Sequence, residues 1–160
     1  MTEIKTFNDV SRITKLGENT KYIFTEPTAD ILETFENTAK GRFYSVHLDL
    51  PEWTGLCPKT GQPDMAHIII DYIPRDWCIE TKSLKLYQNA YRNYGCFMES
   101  TTNKFVDDIK TACNPYYIKV VGRFNARGGM GLDVVAEYIS DEYADYLINK
   151  KDLIIAKRNV

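Results

Sequence analysis

The hydrophobic period of this chain changes twice, and that change constrains the fold more than any single motif does. From Arg42 to Leu50 apolar and polar residues alternate, with Phe43, Val46, Leu48 and Leu50 set among Arg42, Ser45 and Asp49. This is the two-residue period of a half-buried strand, and Pro51 is expected to stop it. Residues 52–64 read as a long loop whose run TGLCPKTGQPD is dense in turn-forming residues. Ala66 to Tyr72 then resumes as an isoleucine-rich strand, expected to pair with the first as a long hairpin. After Pro74 the period lengthens: Leu84, Tyr87, Tyr91 and Tyr94 recur three to four residues apart, which predicts a helix that Gly95 ends. A second helix is expected from a cap at Ser100 or Thr101 to Asn114-Pro115, with Phe105, Ile109 and Ala112 on one face. Tyr116 to Phe124 and Met130 to Tyr138 return to strand, joined by a turn at Arg127-Gly128-Gly129. The class is α+β, in the order two strands, two helices, two strands.

The flanks are less patterned. Residues 1–41 read as an irregular lead-in with one helical turn at Ala29–Phe35, 140–151 as a last short helix, and Asp152 to Ala156 as a short apolar tail. At 160 residues the chain suits a single domain spanning 1–160, with a variable tail over 140–160. A net charge of -2 argues against a binder of phosphate backbones, so nucleic acid is not an expected partner. Apolar runs such as Ile68-Ile69-Ile70 fall far short of a membrane span, and no signal peptide is legible. The four cysteines form no CxxC pair, which favours reduced thiols and a cytoplasmic location. Eleven tyrosines hint at subunit contacts or a stacking site.

Among residues that carry chemistry, Cys57 lies in the first loop beside Lys59 and seven positions before Asp64. A neighbouring cation or base favours the thiolate, and a nearby carboxyl group supplies a proton; a lone cysteine is also, by default, a small buried hydrophobe. Cys78, Cys96 and Cys113 keep that default. Lys82, Lys85, Asn89 and Arg92 form a polar stripe on the first helix, suited to phosphate or simply to solvent, and Glu80 precedes them at the positive end of the helix dipole. Arg127-Gly128-Gly129 is either a phosphate approach or only a turn. Glu99 can accept two hydrogen bonds from a guanine-like edge, or sit in solvent. His47 and His67 lack a third ligand at metal spacing and read as structural, so no metal is expected. There is no GxGxxG or GxxxxGK[ST] signature, so a nicotinamide cofactor would bind outside a Rossmann framework.

Three stretches together resemble the 7-cyano-7-deazaguanine reductase family of queuosine biosynthesis, in its short single-domain form. They are Leu56-Cys57-Pro58-Lys59-Thr60-Gly61-Gln62-Pro63-Asp64, Glu80-Thr81-Lys82-Ser83-Leu84-Lys85-Leu86-Tyr87 running on to Arg92-Asn93, and Gly122-Arg123-Phe124 with Arg127-Gly128-Gly129. The similarity runs from about Leu16 to Asp133. It implies the tunnelling fold, assembled into a multimeric barrel of two stacked pentamers with active sites between subunits. It implies further that Cys57 attacks the nitrile carbon to give a thioimide, that Asp64 donates a proton, and that two NADPH complete a four-electron reduction to the aminomethyl base. Ile79, Glu80, Thr81 and Glu99 then contact the deazaguanine base, while Lys82, Lys85 and Arg127 hold cofactor phosphates.

One position departs from the family pattern. Where the family usually has histidine immediately before the base-binding glutamate, this chain has Met98, which neither donates hydrogen bonds nor shuttles protons well. Two other readings stay open on the sequence: an amidine-forming relative that adds ammonia to the same nitrile, and a catalytically inactive deazaguanine-binding protein. A zinc cyclohydrolase of the same fold lacks a convincing ligand set here.

Overall fold

The computed structural model describes residues 26–149. Its elements are β1 (Thr34–Glu36), β2 (Val46–Leu56), β3 (Pro63–Ile73), β4 (Trp77–Ile79), α1 (Thr81–Ala90), α2 (Met98–Cys113), β5 (Tyr117–Arg127), β6 (Met130–Ile139) and α3 (Asp141–Asn149). The first 25 residues of the expected lead-in and the tail at 152–156 lie outside the described residues. Four long strands form one antiparallel sheet in the order β2-β3-β5-β6, and β1 pairs with β4 in a separate two-stranded sheet.

The alternation read from the sequence decides which face of the large sheet is covered. Ala66, Ile68, Ile70 and Tyr72 of β3, with Ile118, Val120 and Phe124 of β5, point into the core, where they meet Leu84, Tyr87 and Tyr91 from the first helical segment and Phe105 and Ile109 from α2. Tyr91 stacks on Phe105 at 5.4 Å between ring centroids, and Trp53 and Tyr87 approach the same cluster edge-on or tilted. The opposite face carries polar pairs that cross from β2 to β3: His47 Nδ1 lies 2.7 Å from Asp71, and His67 Nε2 contacts Asp49. Both histidines therefore have carboxylate partners on the sheet.

Several expectations need correction. Pro51 does not stop the first strand; β2 continues to Leu56, and the ladder slips one step between Leu50 and Trp53. Proline is tolerated because β2 is an edge strand and Pro51 falls in the bulge. The slip also changes parity, so that Trp53, 1% exposed, turns inward where unbroken alternation would have buried Glu52. The loop is correspondingly shorter than 52–64, because β3 already begins at Pro63. The second helix starts at Met98, without a side-chain cap; Thr101 and Thr102 are fully buried within it rather than capping it. Thr102 packs on Gly122 of β5, where an added Cβ would fall 2.5 Å from its hydroxyl oxygen. Asn89, assigned above to a polar stripe, is buried. β1 and β4 went unread because three residues are too few to show a period.

Other expectations hold. The two hairpins form, Asn114 ends α2 in the left-handed region at φ 43, and Ser140 stands before α3 with its hydroxyl accepting from Tyr143 N–H at 3.3 Å. Gly95 lies beyond the helix it was expected to end: α1 stops at Ala90, a 3-10 turn covers Tyr91–Asn93, and Gly95 bridges to Leu56. The approach is close: a Cβ on Gly95 would lie 3.0 Å from the Pro58 Cα, so a side chain there would have to displace that backbone by a few tenths of an ångström.

Candidate active site

That close approach fixes the Cys57 loop. Leu56 N–H donates to the Tyr94 carbonyl at 3.1 Å and Cys96 N–H to the Leu56 carbonyl at 3.0 Å, so the segment before α2 runs alongside the end of β2. From the other side the hairpin turn closes on itself. Cys57 N–H donates to Gln62 O at 2.8 Å, Gly61 N–H to Cys57 O at 2.9 Å, and Gln62 N–H to the Thr60 hydroxyl at 3.3 Å, with Gly61 supplying the positive φ of 69. The half-buried thiol is thus held on a short, tied turn. Hydrogen bonds from the Thr60 side chain, and then from the backbone of Thr60 and Lys59, lower its pKa to about 7, with Arg127 adding to them against the opposing effect of burial. A large fraction of Cys57 is therefore thiolate at neutral pH, the form that attacks carbon. Cys78 and Cys113 are buried instead, and burial raises both thiols.

Asp64, the second residue of β3, is 4% exposed. Burial pushes its carboxyl above its ordinary value, and the guanidinium of Arg127 pulls the other way through a direct ion pair. Arg127 also donates to the Pro63 carbonyl at 3.0 Å. The structure thus brings Cys57, Asp64 and Arg127 into one cluster, although the resemblance had grouped Arg127 with the helix lysines. Such a cluster offers a nucleophile, a buried proton donor and a cation.

The remaining predicted residues occupy two other places. At the start of α1, Ile79 and Glu80 are buried and Thr81 is exposed. Glu80 is the helix cap: one carboxylate oxygen accepts from Lys82 N–H at 2.8 Å and the other from Ser83 N–H at 2.7 Å. Lys82 is half-buried and Lys85 exposed, one turn apart, a spacing and charge that suit phosphate oxygens. At the start of α2, Met98 packs against the core, while Glu99 is exposed on a groove of about 570 Å³ shared with Tyr94, Cys96, Ser100, Asn103 and Lys104. The zipped Tyr94–Cys96 segment sets this groove beside the Cys57 loop. Among the described residues no group of three or more His, Cys, Asp or Glu is placed to hold a metal ion, and no helix is long and apolar enough to cross a membrane.

Sequence reasoning missed Thr60, whose hydroxyl acts on the thiol; its position three residues after a loop cysteine, among turn formers, was the available signal. It also missed the network in which Tyr87 donates to Asp108 at 2.6 Å and meets the Tyr91 hydroxyl at 2.9 Å beneath the groove. Both tyrosines had been read only as apolar positions.

The architecture is the tunnelling fold, and its relatives place the chain among the enzymes of that fold. Residues 63–143 match the family described as QueF-like protein. The NADPH-dependent 7-cyano-7-deazaguanine reductase of Nitrosomonas eutropha is 51% identical over 114 residues, which cover 71% of this chain and 81% of that protein. The protein of the same name from Bacillus cereus is 44% identical over 151 residues, 91% of each chain. Among solved structures, the apo form of the archaeosine synthase QueF-Like superposes with a TM-score of 0.56 at 26% identity, over 60% of this chain and 94% of that one. The chain belongs to the QueF-like family of 7-cyano-7-deazaguanine reductases.

Proposed function

We propose that this protein is an oxidoreductase that uses NADPH to reduce the nitrile of 7-cyano-7-deazaguanine to the aminomethyl base, a step of queuosine biosynthesis, with Cys57 as the nucleophile. The observation that carries the mechanism is the thiol held near pKa 7 on a tied turn, in one cluster with the buried Asp64 carboxyl. The relatives named NADPH-dependent 7-cyano-7-deazaguanine reductase are 44–51% identical, which supports the reductase reading.

In this reading the Cys57 thiolate adds to the nitrile carbon while the nitrile nitrogen takes a proton, giving a thioimide. NADPH, when bound, would supply the hydrides, one for the thioimide and one for the imine that follows it. Between the two reductions the C–S bond breaks, Cys57 leaves as thiolate and an imine remains in the site. Two hydrides and two protons thus convert nitrile to amine. Asp64 is the proton donor; its burial favours the protonated form that the role needs. Glu99 holds the guanine-like edge of the base through its two carboxylate oxygens, with Met98 beside it and Ile79, Glu80 and Thr81 lining the approach. Lys82, Lys85 and Arg127 would hold the cofactor phosphates. The donor set fits: two ammonium groups one helical turn apart and a guanidinium that is 39% exposed. We place the enzyme in the cytoplasm, as a decamer of two stacked pentamers whose sites form between subunits, and read residues 1–160 as a single domain.

The test is the stoichiometry of absorbance loss at the NADPH band. Two NADPH consumed per nitrile supports the reading; nitrile consumed in the presence of ammonia without NADPH oxidation would replace it by amidine formation.

A further inference from the structure

We propose that Arg127 is a positioning residue of the cysteine site: clamped to the Pro63 carbonyl and the Asp64 carboxyl group, its guanidinium holds nucleophile and acid in one cluster before any cofactor binds. The proposal rests on the Cys57 mechanism above and gives Arg127 a role in the free enzyme in addition to phosphate binding.

The placement follows from strand register. β3 and β5 pair from Ala66 with Phe124, which carries the last residues of β5 alongside Pro63 and Asp64. Against β6 the ladder slips between Phe124 and Arg127, and Gly128 and Gly129, both at positive φ, close the hairpin at once. A slip of this kind re-aims the side chain that follows it, and here that side chain reaches across to β3. The need is electrostatic. Asp64 is 4% exposed; burial raises its carboxyl and the guanidinium opposes that shift, so the pair sets how readily the acid gives up its proton. The charged and titratable residues on the elements that meet at the Cys57 turn include Lys59 on its own loop, Asp64 on β3, Arg127 on β5, and Tyr94 and Cys96 on the segment bonded to Leu56. Of the two cations among them, Arg127 is the one paired with Asp64, and it also helps to lower the thiol. Removing it takes a cation from the thiolate and leaves the buried acid unpaired, and both changes raise pKa values.

The test is the pH dependence of Cys57 alkylation by iodoacetamide, followed by peptide mapping without nitrile or NADPH. Thermal melts of each variant check folding. In the parent the rate should rise with a midpoint near 7. Arg127→Gln should move that midpoint up by about half a unit or more, lowering the rate at pH 6 about threefold. Arg127→Lys keeps the charge without the two-armed geometry and should lie between the two. A midpoint for Arg127→Gln equal to the parent's, or for Arg127→Lys equal to that of Arg127→Gln, would overturn the proposal. If the glutamine variant does not fold, the lysine variant decides alone, a midpoint above the parent's supporting the clamp and an unchanged one refuting it. Failure of the nitrile to label Cys57 would sink the mechanism but leave this titration readable.

Discussion

At the scale of single residues the chemistry lies in how Cys57 and Asp64 are tuned. The Thr60 side chain contributes most to lowering the thiol, so Thr60→Ala should move the alkylation midpoint from about 7 toward the ordinary cysteine value, by roughly one unit. An unchanged midpoint would show that the backbone amides suffice. Because the reactive form is the deprotonated one, adduct formation should fall as pH drops through 7 and level off above it. Asp64→Asn removes the proposed proton donor and leaves the Cys57 thiol in the chain. It should still form an adduct with the nitrile and reduce it at least tenfold more slowly, to be read by single-turnover absorbance. Cys57 and Asp64 were legible because a loop cysteine, a turn-rich run and a carboxyl lie within eight residues and match a family motif. Arg127's contact with Asp64 was not legible, because it depends on which rungs of β3 and β5 face each other. Met98, where the family usually has histidine, packs against the core, so this chain presents a thioether next to Glu99.

At the scale of elements, the site is a product of two hairpins and one helix cap. The periods of two and three to four residues located both hairpins and both main helices, since burial on one face imposes them directly. What they could not locate were features set by neighbours: the bulge at Pro51, the start of α2 above Gly122, and the Gly95 bridge that pins the Cys57 loop. Glu80 shows the same limit. From sequence it was a charge near a helix dipole and a family substrate contact; in the fold both its oxygens are spent on the first amides of α1. Glu80→Ala should therefore destabilise the protein by about 1 kcal/mol, seen as a lower denaturation midpoint. It should also loosen the end of α1 that carries Lys82 and Lys85, raising the apparent NADPH constant. A variant with unchanged stability would refute the capping role.

At the scale of the whole molecule, the chain exposes what an assembly would cover. Among the described residues the large sheet ends in β2, bridged at Leu56 to Gly95, and in β6, which leaves Met130, Val135 and Ile139 exposed. Exposed edges and apolar residues of this kind call for partners. Light scattering coupled to gel filtration should return the mass of a decamer, and a monomer with full activity would contradict sites formed between subunits. The sequence offers no sign of the proposed assembly beyond family likeness, because edge exposure emerges only once strand order is known. The central claim, covalent capture of the nitrile by Cys57, is tested most directly by intact-mass analysis of the enzyme mixed with 7-cyano-7-deazaguanine at pH 7.5 without NADPH. One base-sized adduct per chain, absent in Cys57→Ala and cleared on adding NADPH, is the predicted result. NADPH oxidation by a Cys57→Ala variant, or turnover by the parent with no adduct at any pH, would contradict it.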